Sequence, residues 1–328
     1  MLALLAPGQG AQKPGMLAPW LELPGLTDLA GRMSEAAGLD LTALGSTATA
    51  EQIKDTAVTQ PLVVATALLA ASVIDLPAGA PAAGHSVGEL AAAALSGVID
   101  PVTAVRLAGR RGRAMAACCA LTPTSMSAVL GGQTDQVLQV LDARGLVGAN
   151  VNGGGQIVAA GPLEALAALA ADPPAGSRVI PLPVAGAFHT EYMAGAEQDL
   201  ADAVAGLQPS DPVRPLLTNA DGSVVPTGAA YLRLLVSQLT RPVRWDRCMA
   251  TLSDLGVTGV LEFPPAGTLT GLVKRELKTV ATLAVRTPAD LDAVADFIAE
   301  HGATTGAGPA PDADRAGATD PSTAEVTR

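Results

Sequence analysis

Apolar and polar positions fall into two textures along this chain. Met1 to Ala6 is a short apolar run closed by Pro7-Gly8, which predicts a buried strand leading into a glycine-rich loop. Thr27 to Leu44 carries helical spacing. Gln60 to Ile74 reads as a buried helix with Pro61 near its start, where proline is tolerated. Ala78 to Gly84 is a small-residue strand, and Ser86 to Leu95 an alanine-rich helix. Pro101 to Ala117 is a further helix, bearing Arg106, Arg110, Arg111 and Arg113.

The spacing then shortens. Ser125 to Leu130 predicts a strand, Thr134 to Ala143 a helix. Leu146 to Asn152 and Gln156 to Ala160 form a pair joined by Gly153-Gly154-Gly155, a hairpin signal. Pro162 to Ala171 follows as a helix and Ser177 to Leu182 as a strand. That order, β-α-β-β-α-β, is the split-βαβ unit of a ferredoxin-like domain. It predicts a small domain over 122–184, inserted into a larger α/β domain made of 1–121 and 185–301. In the second half of the large domain, Val213 to Thr218, Gly259 to Glu262 and Thr279 to Ala284 are candidate strands. Glu191 to Ala205, Ala229 to Leu239 and Val243 to Leu255 are candidate helices. From Gly302 the sequence loses apolar periodicity, so 302–328 is expected to be a disordered tail.

Composition narrows the function. The 328 residues are 49% hydrophobic and 16% charged, enough apolar chain for a sizeable core. The longest apolar stretch, Val63 to Ile74, is 12 residues, short of the about 20 that span a bilayer. The N-terminal run has no basic residues before it and reads as a strand, with no signal peptide. The formal net charge is −11 and no Lys/Arg block appears, which argues against nucleic-acid binding. Cys118, Cys119 and Cys248 form no disulfide framework and lack zinc-site spacing. A cytoplasmic setting is expected.

The chemistry centres on Gly84-His85-Ser86-Val87-Gly88-Glu89. A G-x-S-x-G pattern between a strand and a helix is a nucleophile elbow. It lifts the serine hydroxyl to the end of the sheet and leaves the N–H of the next residue, Val87, facing a developing oxyanion. The plainer alternative is a glycine-rich βα turn. A serine nucleophile needs a base. Of the three histidines, His301 borders the tail and is expected to be exposed, and His85 is expected to point away in a packing role. His189 remains. Asp135, Asp142, Glu164 and Asp172 lie between Ser86 and His189, but all fall in the small domain. None is a convincing orienting acid, so a Ser-His dyad with the imidazole held by a backbone carbonyl is favoured. Pro7-Gly8-Gln9-Gly10-Ala11-Gln12 offers a second oxyanion N–H and lacks the spacing of a nucleotide loop. Arg110-Arg111-Gly112-Arg113 suits a carboxylate, although a solvated basic face is the plainer reading from the residues alone.

Seven segments, in order over about residues 1 to 300, together resemble one family: malonyl-CoA:acyl-carrier-protein transacylase and the acyltransferase domains of fatty-acid and polyketide synthases. They are Pro7–Gln12, Gly84–Glu89, Arg111–Met115, Asn152–Gln156, Gly186–His189, Gln238–Trp245 and Leu269–Arg275. The resemblance implies an α/β-hydrolase-like large domain with a ferredoxin-like insertion. It implies Ser86 as the nucleophile, His189 as its base, and the Gln238 main-chain carbonyl as the group orienting His189. The N–H groups of Gln9 and Val87 correspond to the oxyanion hole. Arg111 corresponds to the arginine that pairs with the malonyl carboxylate, Asn152 and Gln156 to polar residues facing the cleft, and Phe188 to a residue narrowing the pocket. Departures are Ala6 in place of an aromatic, Gly154 in place of proline, and the loosely matching loop Glu262–Gly267.

The reaction so implied is ping-pong transfer of malonyl from malonyl-CoA to the phosphopantetheine of acyl carrier protein, with no resident cofactor or metal; a monomer is expected. An acidic carrier needs a local basic patch. Arg241, Arg244, Arg247, Lys274, Arg275 and Lys278 are candidates, against the reading that they are ordinary surface charges. Two other functions compete. A serine esterase or thioesterase would share the elbow but calls for a triad acid. A non-catalytic carrier-binding subunit would show a damaged site.

Overall fold

The computed structural model of the chain describes residues 1–302, so the expected tail beyond Gly302 lies outside the described residues. The fold is mixed α/β and built on two sheets. The first has the order β2-β1-β8-β9, all parallel: β1 is Leu2–Ala6, β2 Ala82–Gly84, β8 Gly259–Glu262 and β9 Ala281–Ala284. Every residue of β1 is buried, as an unbroken apolar run between two parallel neighbours requires. Leu2 and Leu4 join one apolar cluster with helix Thr56–Ala71. Ala3 and Leu5 join another with Trp245 and Met249 of helix Trp245–Asp254. Thus alternate side chains of one strand build the two faces of the large domain.

The second sheet has the order β6-β3-β5-β4-β7, with β3 Thr124–Gly131, β4 Val147–Gly153, β5 Gln156–Pro162, β6 Ser177–Pro181 and β7 Val243–Arg244. The first four strands are antiparallel and ferredoxin-like. Helices Thr134–Ala143 and Leu163–Ala171 cover one face through Val137, Leu141, Leu166 and Leu169. Strand periodicity sends Val151 and Ile157 to that face, and Asn150, Asn152, Gln156 and Val158 to the other, which lines a cavity. The two-residue turn Gly154-Gly155 has positive φ at both positions (55° and 71°). Proline, locked near −65°, could not stand at Gly154, which accounts for that departure.

Several expectations are corrected. The helix predicted over 27–44 is two helices, Leu26–Ala37 and Leu41–Ser46, because Gly38 turns left-handed and Asp40 caps the second. The Gln60 helix begins earlier, at Thr56 behind an Asp55 cap, so Pro61 lies inside it and beyond its first turn. Val213 to Thr218 contributes only isolated bridges at Leu216 and Leu217. Pro215 within this stretch, and Pro212 just before it, lack the N–H a ladder needs. Val243 and Arg244, predicted helical, form β7 and extend the second sheet from outside 122–184, paired parallel with β4. His301 is not exposed: it ends helix Leu291–His301, is 9% accessible, and lies 3.0 Å from Thr258 Oγ1 through Nδ1. Among the described residues, no helix is long and apolar enough to cross a membrane.

Candidate active site

Ser86 stands between β2 and helix Gly88–Leu95, with φ 54°. A non-glycine residue in that region is strained, and the flanking contacts show what holds it there. A Cβ on Gly84 would lie 2.0 Å from the Gly88 carbonyl carbon, and one on Gly88 2.3 Å from the Ala6 oxygen. The two glycines of the elbow are therefore demanded by close backbone approach. The Ser86 N–H donates to Asn219 Oδ1 at 2.8 Å, and Asn219 Nδ2 donates back to the Gly84 carbonyl at 2.8 Å.

His189, also at positive φ (61°), brings Nε2 to 2.7 Å from Ser86 Oγ. Its Nδ1 lies 2.8 Å from the main-chain oxygen of Gln238. A carbonyl only accepts, so Nδ1 carries the proton and Nε2 is free to accept from the serine hydroxyl. Burial, with the Arg111 charge nearby, pushes the imidazole down to about 3. It is thus neutral at neutral pH, the form a general base requires. Among the described residues no carboxylate is hydrogen-bonded to it, so Ser86 and His189 form a hydrogen-bonded pair without an acid.

Arg111 is 1% exposed, which rules out the solvated face. Its guanidinium donates to Gln60 Oε1 (2.7 Å) and Gln238 Oε1 (2.9 Å), and Nη2 lies 3.4 Å from Ser86 Oγ. Burial lowers its pKa to about 10 against the opposing pull of Glu89, so it stays cationic at neutral pH. A buried cation with neutral partners beside a nucleophile is suited to binding an anionic substrate.

A cavity of about 410 Å³ opens over this group, between the two sheets. Gln9, Asn152, Gln156 and Phe188 line it together with Ser86 and His189. Val87 directly follows the nucleophile at the start of helix Gly88–Leu95. Ser86, His189, Gln238, Arg111, Gln9, Asn152, Gln156 and Phe188 are thus brought to one place, with Val87 next to Ser86. Asn152 Nδ2 donates to Gln156 Oε1 at 3.1 Å, and Asn152 Oδ1 accepts from His85 Nε2 at 2.8 Å. His85 also meets Trp245 edge-on, with centroids 5.5 Å apart. It links the elbow to the small domain.

Four participants escape the sequence reading. Gln60 shows only as a lone amide in an apolar helix. Asn219 follows no motif, and the contact of His85 with Asn152 is tertiary. Glu89 lies one helical turn past Ser86, a spacing that places it under the elbow. Among the described residues, no cluster of three or more potential metal ligands occurs.

Fold and site thus define a serine-based acyl-transfer architecture. The family model of the acyl transferase domain matches residues 4–309. The malonyl CoA-acyl carrier protein transacylase of Mycobacterium tuberculosis is 56% identical over 302 residues, covering 90% of this chain and all of the relative. A crystal structure of the transacylase from that organism superposes with TM-score 0.86 at 55% identity, covering 90% of this chain and 99% of that one. A malonyl-transacylase solved in complex with a type II polyketide-synthase acyl-carrier protein gives 0.81 at 30% identity, with 90% and 99% coverage. The chain belongs to the acyl transferase domain family, among its malonyl CoA-acyl carrier protein transacylases.

Proposed function

We propose that this protein moves a malonyl group from malonyl-CoA to the phosphopantetheine thiol of acyl carrier protein through a malonyl-Ser86 ester. The observation that carries the reading is the line Ser86 Oγ, His189 Nε2, Gln238 carbonyl, with the buried Arg111 guanidinium beside the same hydroxyl. His189 takes the Ser86 proton as Oγ attacks the thioester carbonyl. The N–H groups of Gln9 and Val87 hold the oxyanion. The C–S bond breaks and the departing CoA sulfur receives the proton from His189. In the second half, the carrier thiol gives its proton to His189 and attacks the ester, and Ser86 leaves with that proton.

Arg111 selects acyl groups that carry a carboxylate, because a neutral group leaves a buried cation unpaired. Asn152 and Gln156 contact the acyl thioester from the small domain, and Phe188 disfavours a methyl branch. Malonyl-CoA and the carrier protein are substrates, no resident cofactor is used, and the enzyme works as a cytoplasmic monomer. The carrier docks on Arg241, Arg247, Lys274, Arg275 and Lys278, which are exposed, while Arg244 is half-buried and paired with Asp246 at 2.7 Å. Helix Thr268–Glu276 bears two of these charges and lines the cavity with Leu269 and Leu272, so docking there delivers the thiol to the site.

Intact-protein mass spectrometry after brief mixing with malonyl-CoA tests this. One malonyl adduct on wild type, absent from Ser86→Ala, is the expected result. Free malonate without an adduct would indicate an esterase, and neither adduct nor turnover would indicate a binding subunit.

A further inference from the structure

Glu89 has no part in the steps above, yet it is buried at the centre of the groups that carry them. It is 1% exposed, in helix Gly88–Leu95. One carboxylate oxygen accepts the Asn219 N–H at 2.6 Å, and the other accepts the side-chain N–H of Gln238. That Gln238 nitrogen also faces the Ser86 carbonyl at 3.1 Å and Asn219 Oδ1 at 3.2 Å. The oxygen of the same amide receives Arg111 Nη2. Gln238 is therefore a neutral bridge between a buried carboxyl group and a buried cation, and its main-chain oxygen holds His189.

We propose that Glu89 is a positioning residue: its carboxylate fixes the sense of the Gln238 amide, and through it the Arg111 fork and the carbonyl that orients His189. The inference rests on the malonyl-transfer reading above. A carboxylate only accepts, so it demands the NH2 end of Gln238. That leaves the amide oxygen for Arg111. Flipping the amide would set an NH2 against a guanidinium and an oxygen against a carboxylate, both repulsive. The other titratable groups facing Glu89 are the Tyr231 phenol and the Cys248 thiol; burial raises both pKa values, so both are neutral.

Glu89→Gln tests the idea, since it preserves shape and removes the charge. Its amide must set one N–H against either Asn219 N–H or the Gln238 NH2. Transfer from malonyl-CoA and acetyl-CoA to the carrier is measured from pH 6 to 9, with unfolding followed in parallel. Burial raises the Glu89 carboxyl to about 8, so wild-type kcat/KM for malonyl-CoA should climb towards pH 8 as the carboxylate forms. In Glu89→Gln that limb should vanish. At pH 8.5 its preference for malonyl over acetyl should drop about tenfold or more, the weight of one charge-assisted hydrogen bond. Tyr231→Phe removes a hydroxyl that donates to the Glu89 main-chain oxygen at 3.3 Å. It perturbs the same packing but should keep the wild-type limb and preference.

A folded Glu89→Gln with wild-type limb and preference would overturn the proposal, as would a Tyr231→Phe that matched Glu89→Gln. If Glu89→Gln does not fold, Glu89→Asp serves: it keeps the charge but withdraws it by a methylene. It should keep the limb and lose part of the preference, and a wild-type preference would refute the idea. Failure of wild type itself to transfer malonyl would instead sink the underlying function.

Discussion

Replacing Arg111 by alanine separates recognition of the acyl carboxylate from the chemistry of the thioester. Arg111 is 1% exposed and already held by two amides, Gln60 and Gln238, at 2.7 and 2.9 Å. A malonyl carboxylate on Ser86 would pair with this preset cation at little ordering cost. Two charge-assisted hydrogen bonds at about 1.5–3 kcal/mol each give about 3–6 kcal/mol, or roughly two to four decades in kcat/KM. Part of this would remain in any variant that admits water to the vacated space, so about 10²–10³-fold is the expected loss with malonyl-CoA. Acetyl-CoA offers no carboxylate, and its slow transfer should change less than about tenfold. The assay is steady-state transfer of each acyl group to carrier protein, with denaturation curves confirming a folded variant. Equal losses for the two substrates in a folded variant would refute the reasoning and reduce Arg111 to a structural cation.

Other predictions rest on separate features. His189 is held neutral down to about pH 3, whereas an unfolded histidine titrates near 6.5. Across that window the unfolded chain binds the extra proton, so stability should fall with falling pH by up to about 1.4 kcal/mol per unit from this residue. Urea denaturation at pH 5 and 7 should show the slope reduced in His189→Gln, and an unchanged slope would contradict the assigned burial. Gly88→Ala places a Cβ 2.3 Å from the Ala6 oxygen and should cost about 1–3 kcal/mol and most acylation, read by denaturation and adduct formation. Glu262 is fully buried, and its carboxylate accepts the N–H groups of Gly267, Leu269 and Thr270 at 2.8–3.0 Å. Glu262→Ala should destabilise by about 2 kcal/mol or more, seen as a lower urea midpoint, because helix Thr268–Glu276 loses its cap.

Much of this was legible because the deciding interactions are local. The elbow is readable because Gly84, Ser86 and Gly88 act within five residues, and the β-α-β-β-α-β order because strand and helix periods differ. His189 could be reached by elimination among three histidines, and the missing triad acid was visible as an absence of candidates. What stayed hidden depends on folding. From the residues alone Arg111 looked like a surface residue within Arg110–Arg113; the family resemblance singled it out, and tertiary packing is what turns it inward. Arg110, by contrast, faces outward and pairs with Asp199 at 2.8 Å. Asn219 and Gln60 meet the site from positions 19 and 24 residues from the nearest motif, Gln238 and Gly84. Val243 and Arg244 take strand form because β4 offers an edge, which no local propensity announces.

In the proposed reaction Ser86 carries the acyl group between two thiols. A pulse-chase measures this directly: the enzyme is loaded with malonyl-CoA, freed of CoA, and chased with holo carrier protein or with buffer. Malonyl should leave Ser86 for the carrier thiol faster than it is lost to water, and Ser86→Ala should load nothing. Release as free malonate at the same rate with or without carrier would contradict it.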